Sequence, residues 1–187
     1  MADKGATMKR MLAVLACAAA PAVAQERMLV KEVVVEASVA AAWSAWTTRD
    51  GIQSFFAPEA VIDARPGGIY SIHFDPYAPA GLRGADDMRV LALQENRMIS
   101  FTWNAPPQFP EARAQRTVVI VRTEPAGEGR TRLTLTHVGW GTGGQWDQAF
   151  AYFDKAWDRV LVQYRKRFAE GPIDWKPWLE QLKAASR

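Results

Sequence analysis

Near the C-terminus, apolar residues recur at steps of three or four over one long stretch. Trp146, Phe150, Phe153, Trp157, Val160, Tyr164 and Phe168 fall on one face of a helix predicted over Gln145–Ala169. Thr142 reads as its N-cap, with Gln145 three residues on in a capping-box spelling. Asp147, Asp154 and Asp158 lie towards its front and Arg165, Lys166 and Arg167 at its back, which suits the helix dipole. Gly171-Pro172 ends it. At 1.5 Å per residue such a helix runs roughly 36 Å, about the width of a small domain. A face so long and aromatic needs a broad partner.

Alternating patterns upstream supply one. Met28–Glu36 reads as a first strand. Ser38 caps a short helix through Trp46, Arg49-Asp50-Gly51 breaks it, and Ile52–Phe56 forms a second helix stopped by Pro58. Six strands follow in three hairpins: Glu59–Ala64 with Ile69–Phe74, Asp87–Leu93 with Met98–Trp103, and Gln115–Glu124 with Arg130–Val138. With the first strand this is an antiparallel meander of about seven strands. Strands in a run, bracketed by helices, indicate an α+β domain. By period two, Tyr70, Ile72 and Phe74 face inward, as do Ile99, Phe101 and Trp103, and Leu133, Leu135 and His137. Ser71 and His73 then face outward. Beyond Gly171, Pro177 opens a last short helix carrying Trp178, Leu179 and Leu182, which packs back on the domain.

The first residues belong to another pattern. Lys9-Arg10, the apolar run Met11–Ala20 and the A-x-A triplet Ala22-Val23-Ala24 spell a secretory signal peptide over residues 1–24, cut before Gln25. Met8 is an alternative start, and Val14-Leu15-Ala16-Cys17 is a rival lipobox spelling. The apolar run is too short to span a bilayer, so no stable membrane insertion is expected after cleavage. The expected location is periplasmic or secreted. This divides the chain into the signal, a domain over 25–171 and a tail over 172–187. Residues 1–24 hold three of the basic residues, one acidic residue and the single Cys. Without them the formal charge falls from +3 to +1. A nearly neutral domain lacks the basic stripe that nucleic acid requires. It also has no disulfide, no thiolate nucleophile and no Cys metal ligand.

In that order and spacing the residues resemble a known family. The carrying stretches are Val35-Glu36-Ala37-Ser38 running into Trp43, Arg65-Pro66-Gly67-Gly68, Ile99-Ser100-Phe101-Thr102-Trp103, Thr131–Trp140 and Trp157-Asp158-Arg159-Val160-Leu161. Together they resemble the activator-of-Hsp90-ATPase-homologue-1-like branch of the START/Bet v 1 superfamily (SRPBCC, helix-grip fold), from about Leu29 to Phe168. The resemblance implies a curved antiparallel sheet gripping the C-terminal helix, with a cavity between them. It does not imply one reaction: members bind diverse apolar small molecules, and a few related branches are enzymes.

Candidate chemistry is sparse. The two histidines, His73 and His137, are joined by no Cys and no carboxylate cluster, so no metal site is expected. No catalytic residue and no cofactor is assigned. Gly139-Trp140-Gly141-Thr142-Gly143-Gly144 resembles a phosphate loop, but no parallel strand follows it. It reads as a hinge into the long helix, or as a gate with Trp140 as its aromatic lip. The Pro- and Gly-rich segments Asp75–Gly84 and Asn104–Ala114 read as ordinary connections or as the rim of a cavity mouth. The aromatic sets Tyr70 and Phe74, Phe101 and Trp103, and Trp146 and Phe150 converge, with His137 and Trp140 beside them. These eight residues are the expected ligand-binding set, with Trp103, His137 and Trp146 lining the open end. The expected function is binding of a small apolar or aromatic ligand, with any protein partner unspecified. Three rivals are an enzyme using His137 as acid/base with a polar partner such as Tyr70 or Arg89, a chaperone-interaction module of the kind the family name suggests, and a structural interaction protein.

Overall fold

Period two and period 3.6 divide the chain where the sequence places them. The computed structural model describes residues 26–185, so the signal segment lies outside the described residues. Strand β1 (Leu29–Val35) leads into helices α1 (Val39–Thr47) and α2 (Arg49–Gln53). Then come β2 (Glu59–Ile62), β3 (Tyr70–His73), β4 (Gly84–Ala85), β5 (Val90–Gln94) and β6 (Met98–Trp103). One helical turn, α3 (Pro110–Arg113), precedes β7 (Thr117–Pro125) and β8 (Thr131–Val138). The long helix α4 (Gly144–Glu170) and the terminal α5 (Lys176–Ala185) follow. All seven expected strands are present, and the two-residue β4 is an addition.

Every strand pairing is antiparallel. Five strands lie in the order β1-β8-β7-β6-β5, and three in the order β2-β3-β4. The two sets are stitched where β3 meets β5. Ile69 bridges Arg89, and the Tyr70 amide donates to the Met88 carbonyl at 2.8 Å. The result is one bent antiparallel surface with α4 lying in its hollow, the helix-grip arrangement.

The aromatic stripe makes that grip. Ala149, Phe153, Trp157, Leu161 and Tyr164 are the buried residues of α4, and Trp157 is only 1% exposed. They meet the inward residues of the strands, where Tyr70, Ile72, Ile99, Phe101, Leu133, Leu135 and His137 are all fully buried. Tyr164 also donates its hydroxyl proton to the Ala42 carbonyl of α1 at 3.0 Å. On the solvent side, Lys31 of β1 pairs with Asp154 and Asp158 at 2.7 and 2.9 Å.

Three local expectations are corrected. Thr142 does not cap α4. Its N-cap is Gly143 at φ +75°, followed by Gly144 at φ +50°. The chain enters the helix through left-handed conformations that glycine adopts without penalty, and Gln145 spends its carbonyl on the Glu111 amide of α3 at 2.8 Å. Nor does Arg49-Asp50-Gly51 break helicity. Thr48 caps α2 by accepting from the Gly51 amide at 3.0 Å, so that helix starts ahead of Ile52. Gly51 is there for close approach, since a Cβ would stand 2.4 Å from the Ser44 carbonyl oxygen. Finally, Ser71 and His73 are buried. The Asp87 amide donates to Ser71 Oγ at 3.0 Å, and His73 Nδ1 lies 2.6 Å from Glu59 Oε1. Both faces of β3 are covered, a state that alternation cannot signal. Phe74, expected inward, is 36% exposed.

Candidate functional site

His137 sits at the centre of a hydrogen-bonded row that runs from the helix into the sheet. The Trp157 indole N–H donates to His137 Nδ1 at 3.0 Å. His137 Nε2 lies 2.7 Å from Thr117 Oγ1, and the Thr117 hydroxyl donates to the Trp103 carbonyl at 3.4 Å. Since Nδ1 receives a proton donor, the imidazole is the neutral tautomer with its proton on Nε2. Burial pulls its pKa down to about 3, because a charged ring there would lose its water. Both ring nitrogens are engaged, with neither Tyr70 nor Arg89 as partner. Tyr70 donates to the Trp46 carbonyl at 2.8 Å.

Of the three residues expected to line the open end of the grip, His137 and Trp146 lie where packed rings fill it, and Trp103 faces an open cleft. Trp140 lies on His137, ring centroids 4.1 Å apart, and donates its indole N–H to the His137 carbonyl at 2.9 Å. Phe150 packs edge-on to Trp140 at 5.2 Å, and Trp146 stands perpendicular to it at 6.5 Å. Trp146 also lies flat against Gly141, where a Cβ would come within 2.5 Å of its indole nitrogen. The Arg27 guanidinium covers Phe150 at 4.3 Å. The glycine loop carries the chain into α4 with Trp140 packed down on His137 and Phe150.

An open cleft lies instead beside the middle of α4, with a volume of about 380 Å³. The helix contributes Tyr152, Phe153, Ala156, Trp157, Arg159 and Val160. Trp103 at the end of β6 and Phe56 after α2 form its depth, stacked on each other at 5.9 Å. Phe74 stands at its edge against Phe56, centroids 5.6 Å apart. Both Pro- and Gly-rich segments rim it, the first through Asp75, Leu82 and Arg83, the second through Asn104–Pro107 and Arg113.

Arg113 ties those two segments together. Its guanidinium donates to the carbonyls of Ala105, Gly81 and Gly84. Behind it, the buried Asp86 accepts from the amides of Gly81 and Gly84 at 3.2 and 3.1 Å. Burial pulls the Arg113 pKa down, and the Asp86 charge partly offsets this. Helix α5 braces the same rim, since the Trp178 indole donates to the Phe74 carbonyl at 3.1 Å.

Of the eight residues singled out from sequence, Phe74 and Trp103 face the cleft. Tyr70 and Phe101 are stacked on each other at 4.0 Å in the core. His137, Trp140, Trp146 and Phe150 form the filled end of the grip. Sequence reasoning passed over Phe56, Tyr152, Ala156 and the three arginines of the wall. The signal for Tyr152 and Ala156 was available, since both flank the aromatic stripe of α4 one step off its centre.

The family described as activator of Hsp90 ATPase homolog 1-like protein matches residues 36–168. A protein of Mesorhizobium loti superposes with a TM-score of 0.62 at 22% identity, over 79% of this chain and 100% of its own. The Aha1 dimer of Colwellia psychrerythraea gives 0.58 at 18%, over 78% of this chain and 98% of its own. An HSP90 activator from Plasmodium falciparum gives 0.57 at 15%, over 78% and 97%. At these identities the likeness carries the fold. No protein with a curated description matches.

Proposed function

The chain belongs to the activator of Hsp90 ATPase homolog 1-like family, and we propose that it binds one small apolar or aromatic molecule, in the cleft beside α4. The observation that carries this reading is the cleft itself. Its volume of about 380 Å³ falls within the roughly 300–1,000 Å³ typical of ligand pockets. Its wall combines aromatic surface with few polar groups. The reading also places the protein outside the cytoplasm, in the periplasm or secreted, because residues 1–24 spell a cleavable signal. In this reading His137 makes no polar contact with the ligand, since both its nitrogens are engaged and its ring is packed against Trp140 and Trp157. For the same reason His137 is not the acid/base of an enzyme.

A hydrophobic fluorescent probe should bind the folded protein at about one site with micromolar affinity, about −8 kcal/mol. Absence of saturable binding would overturn the reading.

A second reading, a protein-interaction module acting on a chaperone, is favoured by the family description and by the names of the Colwellia and Plasmodium relatives. Compartment separates the two. N-terminal sequencing of the exported protein should begin at Gln25. An intact Met1 or Met8 in a cytosolic fraction would favour the chaperone reading instead.

A further inference from the structure

Three guanidinium groups stand in the wall of an otherwise aromatic cleft, in three different situations. Arg113 is spent on carbonyls of the rim. Arg159, on α4, is exposed to solvent, where water and salt weaken its field. Arg83 lies between these extremes. Its Nε–H is buried and has no hydrogen-bond acceptor among the described residues. The Asp86 carboxylate stands 3.9 Å away, beyond hydrogen-bond reach, and its two oxygens already accept from Gly81 and Gly84.

Among the described residues, buried side-chain polar atoms without a partner are Arg83 Nε, Trp103 Nε1 and Trp46 Nε1. Two of the three belong to this one wall, and both are donors. A donor stripped of water and left without an acceptor destabilises the protein, so each such group calls for an explanation. The charge balance points the same way. Among the described residues, three cations line the wall against one carboxylate, Asp75, which accepts from the Tyr77 amide of its own loop at 3.0 Å, while the buried Asp86 stands behind the rim at 3.9 Å from both Arg83 and Arg113. What Arg83 Nε lacks among the described residues is an acceptor within hydrogen-bond reach.

Building on the ligand-binding reading above, we infer that the ligand is a small aromatic or aliphatic carboxylic acid. Its apolar body lies along Trp103, Phe153 and Trp157, and its carboxylate pairs with Arg83. The planar guanidinium suits a carboxylate better than a point charge would. Exposed Arg159 adds attraction at the mouth, a contribution that salt removes.

Calorimetric titration of the full chain with naphthalene-2-carboxylate and naphthalene-2-carboxamide tests this at pH 7 and low salt. The two share a body and differ in charge. The acid should bind about tenfold more tightly or better. In Arg83→Gln the ratio should fall to about twofold, with the amide affinity unchanged. If Arg83→Gln does not fold, Arg83→Lys keeps the charge without the fork and should lower the ratio in part. Equal affinities in the wild type would overturn the acid assignment while leaving the ligand-binding reading standing. A preference that survives both substitutions would overturn the role of Arg83. Binding of neither compound would remove the ligand-binding reading and this inference together.

Discussion

The Trp157 indole N–H points at His137 Nδ1 across 3.0 Å, and that single bond fixes the histidine's tautomer. It forces the ring proton to the other side, towards Thr117, whose hydroxyl passes the row on to Trp103. Helix α4 is thereby joined to β8, β7 and β6 by polar groups inside an apolar core. Both nitrogens of His137 and the Thr117 hydroxyl are paired, which is the condition for such a row to stabilise.

The pH dependence of stability follows from it. His137 has a folded pKa of about 3 against about 6.5 unfolded. The unfolded state therefore binds the proton first. The contribution of the neutral ring is fully present above about pH 6.5 and is lost as pH falls towards 3, at up to about 1.4 kcal/mol per pH unit. Urea melts at pH 7 and pH 4.5 should show the wild type losing about 2–3 kcal/mol more than His137→Gln does. Equal losses would mean that the ring titrates freely in the fold.

Replacing Trp157 separates its two contributions. Trp157→Phe keeps a ring but leaves His137 Nδ1 buried without a donor, at a cost of about 1–3 kcal/mol. Trp157→Ala also empties a space at the centre of the grip, so its cost should reach about 3–5 kcal/mol. Denaturant midpoints measure both. A loss under about 1 kcal/mol for the alanine variant would contradict the burial of this face.

Ala156 gives a way to fill the cleft without disturbing the core. It is half-buried on the wall beside Trp157. Ala156→Leu should weaken probe binding by about tenfold or more while moving stability by about 0.5 kcal/mol or less. Unchanged probe affinity, measured by fluorescence titration, would place the probe elsewhere.

Removing Arg113 should loosen the rim. In Arg113→Ala the carbonyls of Gly81, Gly84 and Ala105 lose their shared donor, and Asp86 loses a neighbouring cation at 3.9 Å. Stability should fall by about 2–3 kcal/mol. Hydrogen exchange should quicken over residues 75–86 and 104–113 before it does in β7 or β8. Uniform acceleration across the domain would show that the two segments are not a separable unit.

Most of the main strands and the long helix were legible because they bury one face, and a buried face imprints its period on the sequence. Where that condition fails, the sequence misstates the facing or misses the element. β3 is covered on both sides, so Ser71 and His73 look outward in the pattern and are inward in the fold. β4 is two residues long and α3 a single turn in a Pro-rich segment, so neither has room for a period. The candidate site was half legible for a related reason. Alternation marks Trp103, Phe101, His137 and Tyr70 as inward, but it does not say which inward side chains close on one another and which leave a gap. Trp140 and Trp146 close over His137 because Gly141 lets an indole lie against the backbone. The gap falls about three helical turns beyond Trp146, at Ala156, where a small residue leaves space beside Trp157.

The order of the strands has a consequence for how the chain is made. β1 sits at the edge of its sheet and hydrogen-bonds to β8 alone among the described strands. Leu29 is paired with His137, and Val35 with Thr131. The first strand to leave the ribosome must therefore wait for the last before it has a neighbour. At synthesis rates of about 5–20 residues per second, that leaves it unpaired for roughly 5–20 seconds. Contacts so far apart along the chain also slow folding once all the strands are present. The five-stranded sheet of a chain built this way can close only after β8 has been made.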